Sequence, residues 1–403
     1  MKQIFIILFI LVTNTIIGFT VTDDEIINQV MVLSNITGAD DLLEELENLI
    51  GQLVNDPNDY YSNIGFNFTS CMTYLCYFRG TTISTLAMCI PLVSGTIGDT
   101  GTLKGKLAQR LKTEVTNYFF NQAYWDWEHY TSTGNPYVYP ANYRKDIAWN
   151  HGQRVGPHWE KMYALWCYGY YTGDWTTIQN NWSFIRDRYN QGYKTPDNNQ
   201  KSCIISYRPC DSTNCYIMST YRNATNDLCN GLIGYVRMAD RFNDSTRTQA
   251  RTEAKSALAD VLNRVNVSWN SAEWGDWAPG YNLSPEIGRW INDNTTARNN
   301  AQTRLDEAAN AGALKGHWWC GFMNNFGKNS SNYTEDMWGV PNLSHELFLG
   351  RAWMLQETAS SLRQVKPWHV IMGSVPEYRD MLYLRSLIAL ISRHATITWV
   401  NVN

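Results

Sequence analysis

The chain has 403 residues, and its 33 basic and 37 acidic side chains nearly balance, with no basic run or patch of the kind nucleic acid requires. With 17 Trp and 24 Tyr it is too rich in aromatic residues for a disordered class. Its length exceeds that of an ordinary domain but fits one large one, and no linker-like change in composition divides it.

Lys2 precedes the apolar run Ile4–Val12, which stops at Thr13-Asn14-Thr15 and leads through Gly18-Phe19-Thr20 to the acidic Asp23-Asp24-Glu25. A run this short does not span a bilayer, and the order predicts a signal peptide over residues 1–20 and a secreted, extracellular chain. No later segment is apolar for long enough to cross a membrane. Residues 21–100 read as an N-terminal helical segment and 101–403 as the main helical domain.

Helices are expected over Glu25–Ser34, Asp40–Val54 and Leu107–Phe120. The clearest pattern runs from His158, where Trp159, Met162, Tyr163, Leu165, Trp166 and Tyr170 recur at spacings of three and four. Gly173 suits the left-handed residue that ends such a helix, and Asp174 is a ready N-cap for a second helix carrying Trp175, Ile178, Trp182 and Ile185. So short a turn makes the two antiparallel. The same pattern returns over Asn230–Phe242 and Thr248–Val265, joined at Asn243-Asp244-Ser245. It recurs over Pro285–Ile291 with Thr295–Ala313, and over Leu343–Leu362 with Glu377–Arg393. Between these pairs run long segments rich in Trp, Gly, Pro and Asn: 121–157, 192–218, 266–284 and 314–341. Segments of that length are uncommon unless they are functional or stabilised.

Asn-x-Ser/Thr sequons begin at Asn35, Asn67, Asn181, Asn223, Asn243, Asn266, Asn282, Asn294, Asn329, Asn332 and Asn342. They predict a glycoprotein, and each occupied site must face solvent. None falls between Thr69 and Asn181 or after Ser344, so a bare face should include residues 121–160. Nine cysteines are present. In an oxidising compartment Cys71/Cys76 and the group Cys203, Cys210, Cys215 and Cys229 read first as disulfides; a zinc site in the group would lack a nearby histidine. The odd total leaves at least one thiol, for which Cys167, inside an apolar helix, is the candidate.

Three stretches carry a likeness to known proteins: Trp159–Tyr189, with Tyr163-Ala164-Leu165-Trp166 leading to Tyr171-Thr172-Gly173-Asp174-Trp175; Asn230-Gly231-Leu232-Ile233-Gly234-Tyr235; and Tyr281–Ile291. In style they resemble the six-hairpin (α/α)6 toroid of secreted sugar enzymes, which include glycoside hydrolases and polysaccharide lyases. The resemblance spans about residues 100–395. It implies an all-α fold, an array of antiparallel helical hairpins with long aromatic loops, and a carbohydrate polymer or oligosaccharide as partner. Terpenoid cyclases share the architecture, so fold does not fix the chemistry.

Glu273-Trp274-Gly275-Asp276-Trp277 places two carboxylates among Trp and Gly. Glycosidic hydrolysis needs one protonated and one ionised carboxyl, and a Trp face can hold a sugar ring and raise a pKa by excluding water. One of the two is expected here, Asp276 ahead of Glu273, with Trp274 and Trp277 against substrate. The other is expected from Trp125-Asp126-Trp127-Glu128, where Asp126 and Glu128 share a face only in an extended segment. The structural alternatives are carboxylates that cap the next turn for Glu273 and Asp276, and the solvated end of the Leu107–Phe120 helix for Asp126 and Glu128. Asn150-His151-Gly152-Gln153-Arg154, with His158 beyond, fits a lyase as the resemblance implies it: Asn150 or Arg154 neutralises a uronate and His151 abstracts the α-proton. No metal site or cofactor is expected, because His151 and His158 lack a third convergent ligand and no dinucleotide or phosphate-loop motif occurs. The remaining readings are a non-catalytic structural glycoprotein of a wall, coat or fibre, which would self-associate, and a carbohydrate-binding protein without turnover.

Overall fold

The computed structural model describes residues 20–55, 73–120, 156–192, 222–265, 283–310, 350, 352–353 and 376–402. Helix accounts for 76 % of the described residues, which makes the chain all-α in class. No described helix is long and apolar enough to cross a membrane.

The chain begins with a capped turn. Thr22 accepts from the Glu25 backbone N–H while the Glu25 carboxylate accepts from the Thr22 backbone N–H at 2.7 Å, starting helix α1 (Asp23–Asn28). The helix expected to run on to Ser34 stops at Asn28, and Gln29–Ser34 is strand β1. Its partner is strand β2 (Thr396–Asn401), antiparallel, with Val30 opposite Val400 and Val32 opposite Thr398. β-branched residues on both strands favour this extended pairing over helix. The two ends of the described chain are thereby joined.

Helix α2 (Asp40–Asn55) buries Leu42, Leu46, Ile50 and Leu53, one face at helical spacing. Helix α3 (Thr73–Cys89) is a feature the periodicity did not predict. From Gly80 to Ile90 every residue is buried, polar Thr81, Thr82, Ser84 and Thr85 included, so there is no polar face to produce a signal. A single 3-10 turn, Ile90–Leu92, leads towards helix α4 (Leu103–Glu114), which widens into a π-helical turn at Val115–Phe119.

Helix α5 (Gly156–Thr172) ends as its sequence predicts. Gly173 sits at φ +77° and its N–H reaches the Gly169 carbonyl at 3.0 Å, and Asp174 caps the next turn through the Thr177 N–H. The returning helix is broken into α6 (Trp175–Asn180) and α7 (Trp182–Gly192), where the Asn181 side chain donates to the Thr177 carbonyl at 2.8 Å. Helix α8 (Arg222–Arg241) turns back through Asn243, at φ +51°, into helix α9 (Arg247–Arg264). Ser284 caps helix α10 (Pro285–Asp293), whose Pro occupies the first turn, and helix α11 (Thr295–Asn310) follows after Asn294. Of Leu343–Leu362 only Gly350, Ala352 and Trp353 are described, and they are helical. Helix α12 (Pro376–Ser392) leads into β2.

Helices α3, α5 and α8 pack in that order, with α9 on α8 and α12 on α3. Their shared core is aromatic as well as aliphatic: Trp166, Tyr163, Tyr168, Tyr189, Tyr235 and Tyr383 are fully buried.

Candidate functional site

Trp125, Asp126, Trp127, Glu128, Asn150, His151 and Arg154 fall in 121–155, and Glu273, Trp274, Asp276 and Trp277 fall in 266–282; all lie outside the described residues. His158 is placed by its backbone in the first turn of α5. The sequons at Asn67, Asn266, Asn282, Asn329, Asn332 and Asn342 also lie outside the described residues, and Asn223 is described only as backbone in α8.

The scaffold to which these segments attach is described, and its polarity is readable. A Cβ on Gly234 of α8 would come within 2.7 Å of the Tyr163 Cα of α5, and three residues on in both helices the Arg237 guanidinium lies 4.1 Å from the Trp166 ring centroid. Both contacts advance together, so α5 and α8 run parallel. Helix α10 follows the same direction: Ser284 donates to Asn230 Oδ1 at 2.5 Å, and Glu286 meets Arg237 at 2.7 Å. The first residues of α5, α8 and α10 therefore share one end of the array. Residues 121–155, 193–221 and 266–282 each lead into one of those first residues.

The opposite end carries the short returns at Gly173, Asn243 and Asn294. Of the described sequons, Asn35, Asn181, Asn243 and Asn294 belong to it, whereas Asn223 stands in the first turn of α8 at the other end. Asn243 is exposed in the α8–α9 return, Asn294 caps α11 through the Ala297 N–H at 2.9 Å, and Asn181 is tied to the Asn243 return because the Trp182 indole N–H donates to Asp244 at 2.7 Å. Asn35, at φ +48°, precedes Thr37, whose N–H reaches the His394 carbonyl at 2.9 Å where α12 ends. The last turns of α12 and α10 meet at the same place, Arg393 on the Ala352 carbonyl at 2.8 Å and Asn292 on the Trp353 carbonyl at 3.0 Å.

One charged constellation in the core escaped the sequence reading. Arg237 and Glu286 pair at 2.7 Å with both side chains 1 % exposed, and Tyr163 donates its hydroxyl to the other Glu286 oxygen at 2.8 Å. Arg237 also donates to the carbonyls of Ile27 at 2.6 Å, Ile26 at 3.2 Å and Gln29 at 2.6 Å. Burial, and after it the Glu286 charge, push the Tyr163 phenol well above its ordinary pKa, so it stays a donor. Every polar atom here faces another, and the side chains are sealed from solvent, so the arrangement anchors α1 and β1 rather than meeting a substrate. Its sequence signal is Arg237 four residues after Ile233 on the apolar face of α8.

Cys229, expected in a disulfide group, is instead a thiol at 0 % exposure in α8, and Cys89 is likewise a buried thiol whose pKa burial pushes far up. Cys167 is fully buried in α5, as its place in an apolar helix predicts. Among the described residues no group of three His, Cys, Asp or Glu side chains is placed to hold a metal ion. No family model, curated protein or solved structure matches this chain.

Proposed function

We propose that the chain is a secreted glycoprotein that acts on carbohydrate, a glycoside hydrolase with paired carboxylates on an (α/α)6-like toroid. The observation that carries the reading is the common end. Residues 121–155, holding Asp126 and Glu128, and residues 266–282, holding Glu273 and Asp276, lead into the parallel helices α5 and α10 at the same end of the array. In this reading two acids from separate segments meet at that end, as hydrolysis of a glycosidic bond needs.

The order of neighbours supports the toroid. It runs α3, α5, α8, α10, then through Trp353 against Gly288 to Ala352 against Arg393 just past α12, and α12 packs on α3. A circuit that returns to its first member is what a closed ring of hairpins would have. The sequons at Asn35, Asn181, Asn243 and Asn294 stand at the far end, while Asn223 heads α8 at the near end, where a glycan must leave room for a polymer approaching the acids.

In this reading Asp276 and either Asp126 or Glu128 flank the scissile bond. One, held protonated beside Trp, gives its proton to the leaving oxygen, and the other activates water or attacks the sugar carbon. The test is a panel of polysaccharides assayed for new reducing ends and for absorbance of unsaturated uronates. Reducing ends that vanish by about 10²–10⁴-fold in Asp276→Asn support the proposal. Uronate absorbance that depends on His151 and Arg154 would replace it with a lyase. Binding without product would leave a carbohydrate-binding protein, and neither binding nor product would leave a structural glycoprotein.

A further inference from the structure

Two sequons converge on one aromatic patch. Trp182 directly follows Asn181, and Phe242 directly precedes Asn243. The two rings pack at 5.0 Å between centroids, and Trp175 meets Phe242 edge-on at 6.3 Å. All three are partly exposed, on the surface between the α5–α6 and α8–α9 returns.

The return that presents Asn243 is rigid. The Asp244 N–H reaches the Ala239 carbonyl at 2.8 Å and the Asn243 N–H reaches Asp240 at 3.1 Å, the bonds of a left-handed helix stop. Asp244, the middle residue of the sequon, accepts from Trp182 at 2.7 Å and from the Thr246 N–H at 2.9 Å. Arg247 donates to Asn243 Oδ1, which leaves Nδ2 as the atom a sugar would join. Asn243 and Ser245 are both exposed, so an attached sugar chain displaces nothing in the fold.

We infer that Asn243 is N-glycosylated and that the first sugar residue lies with its C–H face on the Phe242–Trp182 rings. The inference rests on the glycoprotein reading above and adds to it a site and a seat. In the transfer, Asn243 Nδ2 attacks the anomeric carbon of a lipid diphosphate-linked oligosaccharide. The C1–Nδ2 bond forms, the C1–oxygen bond to the diphosphate breaks, the lipid diphosphate leaves with the bonding pair, and one amide proton passes to a base of the transferring enzyme. Aromatic faces suit the seat because they offer flat apolar area to the ring hydrogens of a sugar while its hydroxyls stay in water.

The test uses the full chain secreted from eukaryotic cells. Glycopeptide mass spectrometry should find Asn243 occupied. Ser245→Ala removes the sequon but keeps Asn243 at its left-handed position, and it should lower Tm by about 2 °C. In a Phe242→Leu background the same change should lower Tm by less than half as much. Trimming the wild-type glycan to its first sugar should keep the Tm, and complete removal should lose it; this arm stands if Phe242→Leu fails to fold. Glycans elsewhere with Asn243 bare, or a Ser245→Ala loss indifferent to Phe242, would overturn this inference alone. A secreted chain with no glycan at any sequon would overturn the glycoprotein reading with it.

Discussion

Arg237 and Glu286 lie 2.7 Å apart with 1 % of each side chain exposed, and the same guanidinium holds three carbonyls of the N-terminal segment. A sealed ion pair of this kind is costly to break from one side, because the remaining charge has no water to turn to. Glu286→Gln is expected to destabilise the chain by about 3–5 kcal/mol. Arg237→Met should cost at least as much, since it also leaves the carbonyls of Ile26, Ile27 and Gln29 without their donor. The double variant should cost clearly less than the sum, and denaturant midpoints of the four proteins decide it. Simple additivity would mean that the two charges are not a unit.

Helices α5 and α8 approach closely at one glycine. A Cβ on Gly234 would sit 2.7 Å from the Tyr163 Cα and 2.9 Å from the Met162 carbonyl oxygen, both backbone atoms that cannot swing aside. Gly234→Ala should therefore force the helices apart, at about 1–3 kcal/mol. Gly51, within α2, is the internal contrast, with nothing within 4 Å of its added Cβ. Gly51→Ala should stabilise by about 0.5–1 kcal/mol through the helix preference for alanine. Thermal melts that move in the same direction for both would contradict the packing described.

Much of this architecture was legible before any coordinates, and the exceptions have physical reasons. Helix α5 and its Gly173–Asp174 stop announce themselves through large apolar residues at spacings of three and four and a capped turn, both local properties, although every residue from Lys161 to Gly169 is buried. The α8–α9 return does the same. Helix α3 gives no such sign, because its buried run mixes Thr81, Thr82, Ser84 and Thr85 with the apolar residues and so shows no apolar spacing, and its Thr and Ile residues suggest strand by propensity. Strand β1 reads as helix from its own residues because its partner, Thr396–Asn401, lies far along the chain. Arg237 and Glu286 were passed over because charge in a sequence reads as surface until its partner is known. The acids and aromatics put forward for catalysis lie outside the described residues, so the scaffold fixes only the residues into which their segments lead.

Acid should attack the turns first. At Asp244 burial works against ionisation, but hydrogen bonds from Thr246 and Trp182 outweigh it and hold the carboxyl below its usual range. At Asp174 burial is likewise outweighed, there by hydrogen bonds from Tyr168 and Thr177. A carboxyl depressed in the native state contributes stability that is fully present above its unfolded pKa, about 4, and lost as pH falls through the native value. Asp244→Asn should lose about 1–2 kcal/mol at neutral pH and show a shallower decline of Tm below pH of about 4. A wild-type Tm that stays level through that range would remove these carboxylates as the cause.

The strand pair at the chain ends offers the last test. β1 is joined to the helices through Arg237 at Gln29, and through Arg289, which donates to the Gln29 side chain at 2.8 Å and lies 4.4 Å from the Trp399 ring centroid in β2. Removing residues 396–403 takes away every ladder partner of Gln29–Ser34 and the ring beneath Arg289, but it leaves the buried Arg237–Glu286 pair untouched. The truncated chain should therefore fold, with amide exchange in residues 30–34 speeded while exchange in α5 and α8 keeps its protection. Trp399→Ala should give a smaller effect of the same kind, about 0.5–1 kcal/mol from the cation–π contact. If truncation instead released α5 and α8 together with β1, the terminal pair would have to be part of the core cooperative unit, and the Arg237 anchor alone would not hold the N-terminal segment in place.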